Sequence, residues 1–424
     1  MIFLRIRGDR CSESLPRSPP CIHNEWLNWD ERSNNNVDEN DDVSDDEVFG
    51  ENVGMKDGWK SLPFEEVVAD ESGGNIKTLQ SDFLLAGQLP VVDQGKALIA
   101  GYTNDFACAC KAQLPVIIFG DHTRCFKFVD FPFGIGADGV KVLRPRINAD
   151  EKYLFHYLRS LQLPNAGYDR HFKYLKRTEI VLPPIAEQKR IAAILDKAEE
   201  LRGLRRKALG ELDAIVQSIF LEMFGDPETN PEGWEKGCLG DIATFVGGGT
   251  PKRERPEYFE GSTCWATSKD MKNEFLDNTQ EHITLQAIEG SATNLVPPGT
   301  ILVVVKSKIL AHSLPVAITR VPTCFGQDIK GIKISERCAV AFVATALRHG
   351  KQWLLERARG INTEGLTLDH LRAFPLMLPP RPLQKEFARR VEAIEQLKAT
   401  HRESLAHLDA LFASLQHRAF RGEL

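Results

Sequence analysis

The sequence predicts an α+β chain arranged as a pseudo-twofold tandem repeat. Two mixed α/β domains are expected, separated by two long antiparallel coiled-coil spacer helices. Three observations predict this. The signature "LPPIAEQK" at 182–189 returns as "LPPRPLQK" at 378–385, and in both copies "LDA" falls 30 residues after the first Leu. Aligned at a constant offset of 196, the copies share Leu182/Leu378, Gln188/Gln384, Lys189/Lys385, Leu212/Leu408, Asp213/Asp409 and Phe224/Phe420. A second echo, "GWKSLPFEEV" at 58–67 and "GWEKGCLGDI" at 233–242, stands upstream at a different offset. A variable stretch followed by a helix is therefore written twice.

In chain order, residues 1–57 come first, with 6 basic and 14 acidic side chains. The segment "DENDDVSDDEVFGEN" has no apolar periodicity and too little apolar surface to fold, so 1–57 is expected to be a disordered acidic extension. The first domain spans 58–184, a spacer helix with its linker 185–232, the second domain 233–380 and the second spacer helix 381–424. In the first helix Ile191, Ile194, Ala198, Leu201, Ala208, Leu212, Ile215 and Ile219 recur in steps of three, four and seven. Phe387, Val391, Ile394, Leu397, Leu405, Leu408, Leu411 and Leu415 do so in the second. Pro-Pro precedes each run, and Gly225 and Gly422 follow them. About 36 residues at 1.5 Å rise give a helix on the order of 55 Å, a length that suits a coiled-coil pair.

The variable stretches read as mostly β. "LPVIIFG" (114–120) and "GTILVVVKSKIL" (299–310) are β-branched runs bounded by Gly and Pro. "KYLFHYLRSLQL" (152–163) and "AVAFVATALRHGKQWLLERA" (339–358) read as helices placed before each "LPP".

Composition excludes several classes. No run of eighteen apolar residues occurs, so no membrane span is expected. The nine scattered Cys form no CxxC pair and no zinc-ligand spacing, which fits free thiols in a cytoplasmic protein. The net charge of −6 argues at first against nucleic acid, but the extension carries −8 of it and the rest is +2.

Motifs that suggest an enzyme do not assemble. "GIGADG" (134–139) fits G-x-G-x-x-G, yet it runs into "VKVL" rather than a helix, so Gly-permitted turns between strands are the expectation. "DFPF" (130–133) has Phe131 where the adenine-methyltransferase loop has its first proline. "EQK" (187–189) imitates half of a nuclease site, but Leu383 replaces Glu187 in the second copy. What recurs instead is basic and polar residues on turns. Lys252, Arg253 and Arg255 share a Gly/Pro-rich loop, Lys306 and Lys308 are expected on one face of a strand end, and Asp121, His122, Arg124 and Lys127 lie within "FGDHTRCFK". Lys and Arg suit phosphates; Arg, Asn, Gln and Asp suit base edges.

From 58 to 424 these residues resemble the specificity (S) subunits of type I restriction–modification systems. "LPP…EQKRIAAILD" and its second copy are similar to the family's spacer regions. "LPVVDQGKALIAGYT" (89–103), "LPVIIFGDHTR" (114–124) and "VDFPFGIGADGVKVL" (129–143) are similar to one class of its target-recognition domains. "GGGTPKRERPEYF" (247–259), "LVPPGTILVVV" (295–305) and "FGQDIKGI" (325–332) are similar to another. "VVVKSKI" departs from the small-residue-plus-Arg run often found there.

The resemblance implies a non-catalytic chain that reads a bipartite, asymmetric target in double-stranded DNA. Gln94, Lys96, Tyr102, Asp121, His122, Arg124, Lys127 and Lys141 would contact one half-site, and Lys252, Arg253, Arg255, Lys306, Ser307, Lys308 and Gln327 the other. It implies two modification (methyltransferase) subunits and ATP-dependent restriction subunits as partners. The chain itself would bind no cofactor, and the complex would use S-adenosylmethionine, ATP and Mg. Other readings are a specificity chain of a different bipartite-target system, a free-standing DNA methyltransferase, and a coiled-coil scaffold that binds no DNA.

Overall fold

The computed structural model describes residues 56–136, 139–164, 170–358 and 365–424. The acidic extension, apart from Lys56 and Asp57, lies outside the described residues. The chain divides into two compact units: residues up to Glu200 together with Ala410–Leu424, and Leu201–Asp409.

In the first unit a four-stranded sheet has the spatial order Val68–Asp70, Val140–Pro145, Val116–Gly120, Phe126–Val129, with antiparallel neighbours. Val116–Gly120 is buried along its whole length, which is why "VIIFG" is apolar without alternation. A second sheet joins Lys77–Thr78, Gly134–Gly136, Leu89–Val92 and Gly101–Thr103. Residues 134–136 thus form a buried strand, not the expected turn, because they pair in parallel with two neighbours. Helix Glu151–Ser160 starts on an Asp150 N-cap and buries Tyr153, Leu154 and Leu158 against Phe64, Ile117, Ile191 and Leu195.

The second unit has a five-stranded sheet in the order Ala243–Gly247, Ile329–Ile334, Ile301–Val304, Val316–Thr319, Phe275–Leu276. A three-stranded sheet carries Glu281–Ile283, Thr263–Ala266 and Thr323–Phe325. The expected strand over 299–310 stops at Val304, and Lys308–Ala311 is a single 3₁₀ turn capped by Ser307. The expected helix over 339–358 breaks at Gly350 into Val340–His349 and Lys351–Leu355. A Cβ at Gly350 would stand 2.6 Å from the Phe374 ring, so the chain bends where only glycine fits.

The two sequence echoes meet in space within each unit. The strand after the first Gly-Trp, Lys60–Pro63, pairs antiparallel with Glu179–Leu182, which leads into the first Leu-Pro-Pro. Glu235–Cys238 pairs in the same way with Pro375–Leu378. Gln188 and Gln384, both buried, then repeat one device. Each donates Nε2–H to the carbonyl of the first proline, Pro183 or Pro379, at 2.8 Å. Each accepts at Oε1 from the backbone N–H at the start of an earlier helix, Asp150 before Glu151–Ser160 at 2.9 Å or Ala339 before Val340–His349 at 2.8 Å.

The long helices run Ile185–Phe224 and Arg381–Phe420, 40 residues each, or about 60 Å. Both are followed by a glycine in the left-handed region, Gly225 at φ 76° and Gly422 at φ 74°. The apolar stripe differs in detail from the expected one. Leu201, Ile215, Leu397 and Leu411 are exposed, while Leu195, Val216 and Phe220 are buried. The reason is that the first helix opens in one core, beside Tyr153 and Leu154, and closes in another, beside Phe342 and Phe387. Between these cores the buried positions include charged side chains, Arg202, Glu395 and Lys398, beside Leu212 and Leu405. Lys398, 1% exposed, stands 2.6 Å from Asp213, 3.6 Å from Glu274 and 3.7 Å from Glu395; Arg202 pairs with Asp409 at 2.5 Å.

Candidate nucleic-acid interface

In the second unit the loop 247–255 is seated by glycine. A Cβ on Gly248 would stand 2.1 Å from the Gly326 carbonyl oxygen, and one on Gly249 2.4 Å from the Ala292 carbonyl carbon. Backbone contact this close needs Gly at both positions. The Gly249 N–H donates to Phe325 O at 2.9 Å, and Trp265 Nε1–H donates to Gly249 O at 3.1 Å. The loop is thereby fixed to residues 325–328, and exposed Gln327 is carried beside it. The Val305 N–H donates to Asp328 O at 2.8 Å, which brings exposed Lys306 to the same group of loops.

Within that loop Lys252 is exposed, whereas both arginines are engaged. The Arg253 guanidinium forks onto both carboxylate oxygens of Glu281 at 3.0 and 2.8 Å. Arg255 donates to Tyr258 Oη at 3.0 Å. Ser307 is half-buried and accepts from the Ile309 N–H at 3.3 Å as a cap, and Lys308 is exposed. Asn294 and Lys330 join the group without having been foreseen. Asn294 Nδ2–H donates to Gly247 O at 2.9 Å, and a Cβ on Gly247 would be 3.9 Å from Lys330 Nζ. Asn294 stands just before "LVPPGTILVVV" and Lys330 inside "FGQDIKGI", neither within a basic cluster that would single it out.

In the first unit, segments 93–96, 120–124 and the turn at Gly139 converge. The His122 N–H donates to Gln94 Oε1 at 3.3 Å, and Thr123 Oγ1 donates to Gln94 O at 2.5 Å. Gly139, at φ 85°, brings its Cα so near that a Cβ would be 2.6 Å from Gln94 Oε1 and 3.0 Å from His122 Cδ2. Lys96 is exposed beside this cluster.

Two expected contact residues are engaged inside the fold. Lys127 is buried, donates to Asp93 O at 2.8 Å and pairs with the Asp93 carboxylate at 3.3 Å; burial pushes its ammonium below the usual lysine range, against the pull of Asp93. Asp121 is buried and accepts from the Phe172 N–H at 2.7 Å. Lys127 faces inward on the alternating strand Phe126–Val129, whereas Asp121 opens the turn after Val116–Gly120 and is held inward by the backbone at His171 and Phe172. Lys141 pairs with Asp70 at 3.0 Å over the Phe172 ring, Arg124 donates to Leu163 O at 3.3 Å, and Tyr102 is half-buried in a strand pair. Among the described residues no group of three or more His, Cys, Asp or Glu is placed to hold a metal ion. No helix among them is long and apolar enough to cross a membrane.

Known proteins share this chain's sequence pattern and fold. The sequence pattern of the type I restriction modification DNA specificity domain fits the chain twice, over residues 57–212 and 231–409. The chain belongs to this family. It is a type I specificity subunit, a DNA-recognition component without catalysis of its own. It is 28% identical over 352 residues to the EcoR124I/EcoR124II specificity subunit of Escherichia coli, covering 79% of this chain and 85% of that one. Its fold is similar to the crystal structure of a type I S subunit from M. genitalium, with TM-score 0.53 and 17% identity over 88% of this chain and 98% of the other.

Proposed function

We propose that this specificity subunit reads a bipartite, asymmetric DNA target, one half-site through each unit, and that the two long helices set the length of the unread gap. The observation that carries the reading is that one family pattern occurs twice while the polar loops differ. Gln94, Lys96 and His122 gather in the first unit; Lys252, Gln327 and Lys306 gather in the second. Two unlike readers in one chain call for two unlike half-sites, and linkage raises affinity when their spacing matches the target.

Ion pairs support an antiparallel, coiled-coil-like arrangement of the helices. Moving forward from Arg202 to Asp213 on the first helix means moving backward from Asp409 to Lys398 on the second. In this reading the chain binds double-stranded DNA and carries two modification subunits and the restriction subunits. Adenine methylation needs a flipped base and a methyl-donor site, which the modification subunits would supply. S-adenosylmethionine, ATP and Mg then belong to the complex, and the chain binds none of them.

Mapping methylated adenines by single-molecule sequencing, in cells carrying this chain with its modification subunit, tests the reading. Two different short half-sites separated by unspecified bases are expected. A continuous or palindromic motif would contradict it. Calorimetry on the purified chain should show no methyl-donor binding; a bound donor would favour a free-standing methyltransferase.

A further inference from the structure

We infer that Arg253 reads a guanine in the half-site of the second unit, and that Glu281 is the positioning residue that orients it. The inference rests on the proposal that this loop faces DNA, and adds which base is read and by which edge of the side chain.

Glu281 and Trp265 are cross-strand partners in an antiparallel pair, so carboxylate and indole lie on one face. Trp265 is buried and tied through Nε1 to Gly249, and the Phe259 ring stands edge-on to it at 6.0 Å and 81°. The Arg253 guanidinium carbon sits in that corner, 4.5 Å from the Phe259 centroid and 5.1 Å from that of Trp265. The Glu281 fork engages one N–H on Nη1 and one on Nη2. Rings and carboxylate together fix both the position and the plane of the group.

A guanidinium has five N–H donors. The fork uses two from the end of the group and leaves three, of which Nε–H and the remaining N–H of Nη2 lie parallel along one side. Among the described residues none accepts from Nε. The side chain remains 50% exposed. Two parallel donors match the O6 and N7 acceptors that guanine presents in the major groove, and no other base edge offers two adjacent acceptors there. Holding the arginine in advance removes much of the ordering cost on binding. A phosphate contact would need no such orientation, and exposed Lys252 on the same loop suits that part.

The test uses the full chain assembled with its modification subunit and duplexes carrying the mapped target, with each base pair of both half-sites replaced in turn. In competition binding, Arg253→Lys should lower discrimination at one G·C position of one half-site by roughly 5- to 150-fold. Glu281→Ala should relax the same position, and Glu281→Gln should relax it less. The other half-site should keep its preferences. The assignment is overturned if Arg253→Lys weakens all duplexes by one factor, relaxes an A·T position or relaxes none. It is also overturned if Glu281→Ala discriminates like the parent, or if all three variants lose both half-sites equally, which would make the pair a scaffold. Lys252→Ala separates this from the wider reading. If Lys252→Ala flattens the salt dependence while Arg253→Lys relaxes nothing, only the guanine assignment falls. If neither changes DNA binding, the loop does not face DNA.

Discussion

Arg205 donates to His401 Nδ1 at 2.8 Å, and the two residues are 196 positions apart, the same offset that relates the two Leu-Pro-Pro signatures. Shifted by that offset, Arg202 falls on Lys398 and Asp213 falls on Asp409. The pair Arg202–Asp409 is therefore the pair Lys398–Asp213 with the helices exchanged. A twofold that swaps two related antiparallel helices would carry one pair onto the other and pass beside Arg205 and His401. This relationship supports the tandem-repeat reading and adds Arg202, Arg205, Lys398 and His401 to the duplicated Asp213 and Asp409.

The exchanged pairs differ in burial, and the difference predicts unequal costs. Lys398→Ala removes the cation shared by Asp213, Glu274 and Glu395 and leaves buried Glu395 with Arg402 at 2.6 Å and Glu274 with Arg348 at 3.4 Å. Removing one partner of a buried charge network costs about 3–5 kcal/mol. Arg202→Ala leaves Asp409, which is 38% exposed and able to hydrate, so its loss should be nearer ~1 kcal/mol. Urea unfolding of the two variants should rank them in that order.

Gln188 and Gln384 should behave alike. Each holds a proline carbonyl and the start of the preceding helix, and truncation orphans a backbone acceptor and a backbone donor. At about 1–3 kcal/mol for each buried group left unsatisfied, Gln188→Ala and Gln384→Ala should each lower the unfolding midpoint clearly. Equal and negligible losses would mean water replaces both bonds.

The Gln device explains why the repeat was legible. Leu-Pro-Pro and Gln sit at fixed local spacing, and helical periodicity announced the long runs that follow. What stayed hidden depends on distant contacts. The stripe over Leu201, Ile215, Leu397 and Leu411 failed because each helix changes packing partners along its length and crosses an ionic zone. Asp121 and Lys127 looked like interface residues because strand–turn–strand segments give no sign of which side chains face the core. Glu281 carried no signal at all: it reaches Arg253 only because its strand pairs with Trp265.

Acidification should weaken the first unit through His156. Burial holds this imidazole below the ordinary histidine range even though Asp196 lies 2.8 Å from Nε2 and pulls the other way. The unfolded chain then takes up the proton first, near pH ~6.5, so stability is full above that value and falls as the pH drops below it. His156→Phe removes the group that takes up this proton, so it should flatten the slope of stability between about pH 7.5 and pH 5.5 in urea titrations. A parent protein that gains stability on acidification over that range would mean the ion pair to Asp196 dominates.

Lys252→Ala should weaken binding to all sequences alike and lower the slope of log K against log salt by about 1, as expected for one phosphate contact. Gln327→Ala should act on one half-site, with a loss of roughly 1–3 kcal/mol if the side chain meets a base edge. Filter binding at several salt concentrations distinguishes the two.

The central claim is that the helices set distance and the loops set sequence. Arg206 and Arg402 are equivalent positions at the offset of 196, and each lies between the two exchanged ion pairs. Four residues inserted after both, about 6 Å of helix, lengthen each helix equally and leave Arg202–Asp409 and Lys398–Asp213 opposite one another. At about 3.4 Å per base pair the unread gap should grow by one or two base pairs. Methylome mapping of cells carrying the double insertion should show this longer gap between unchanged half-sites. Active methylation with a gap of the original length would contradict the account.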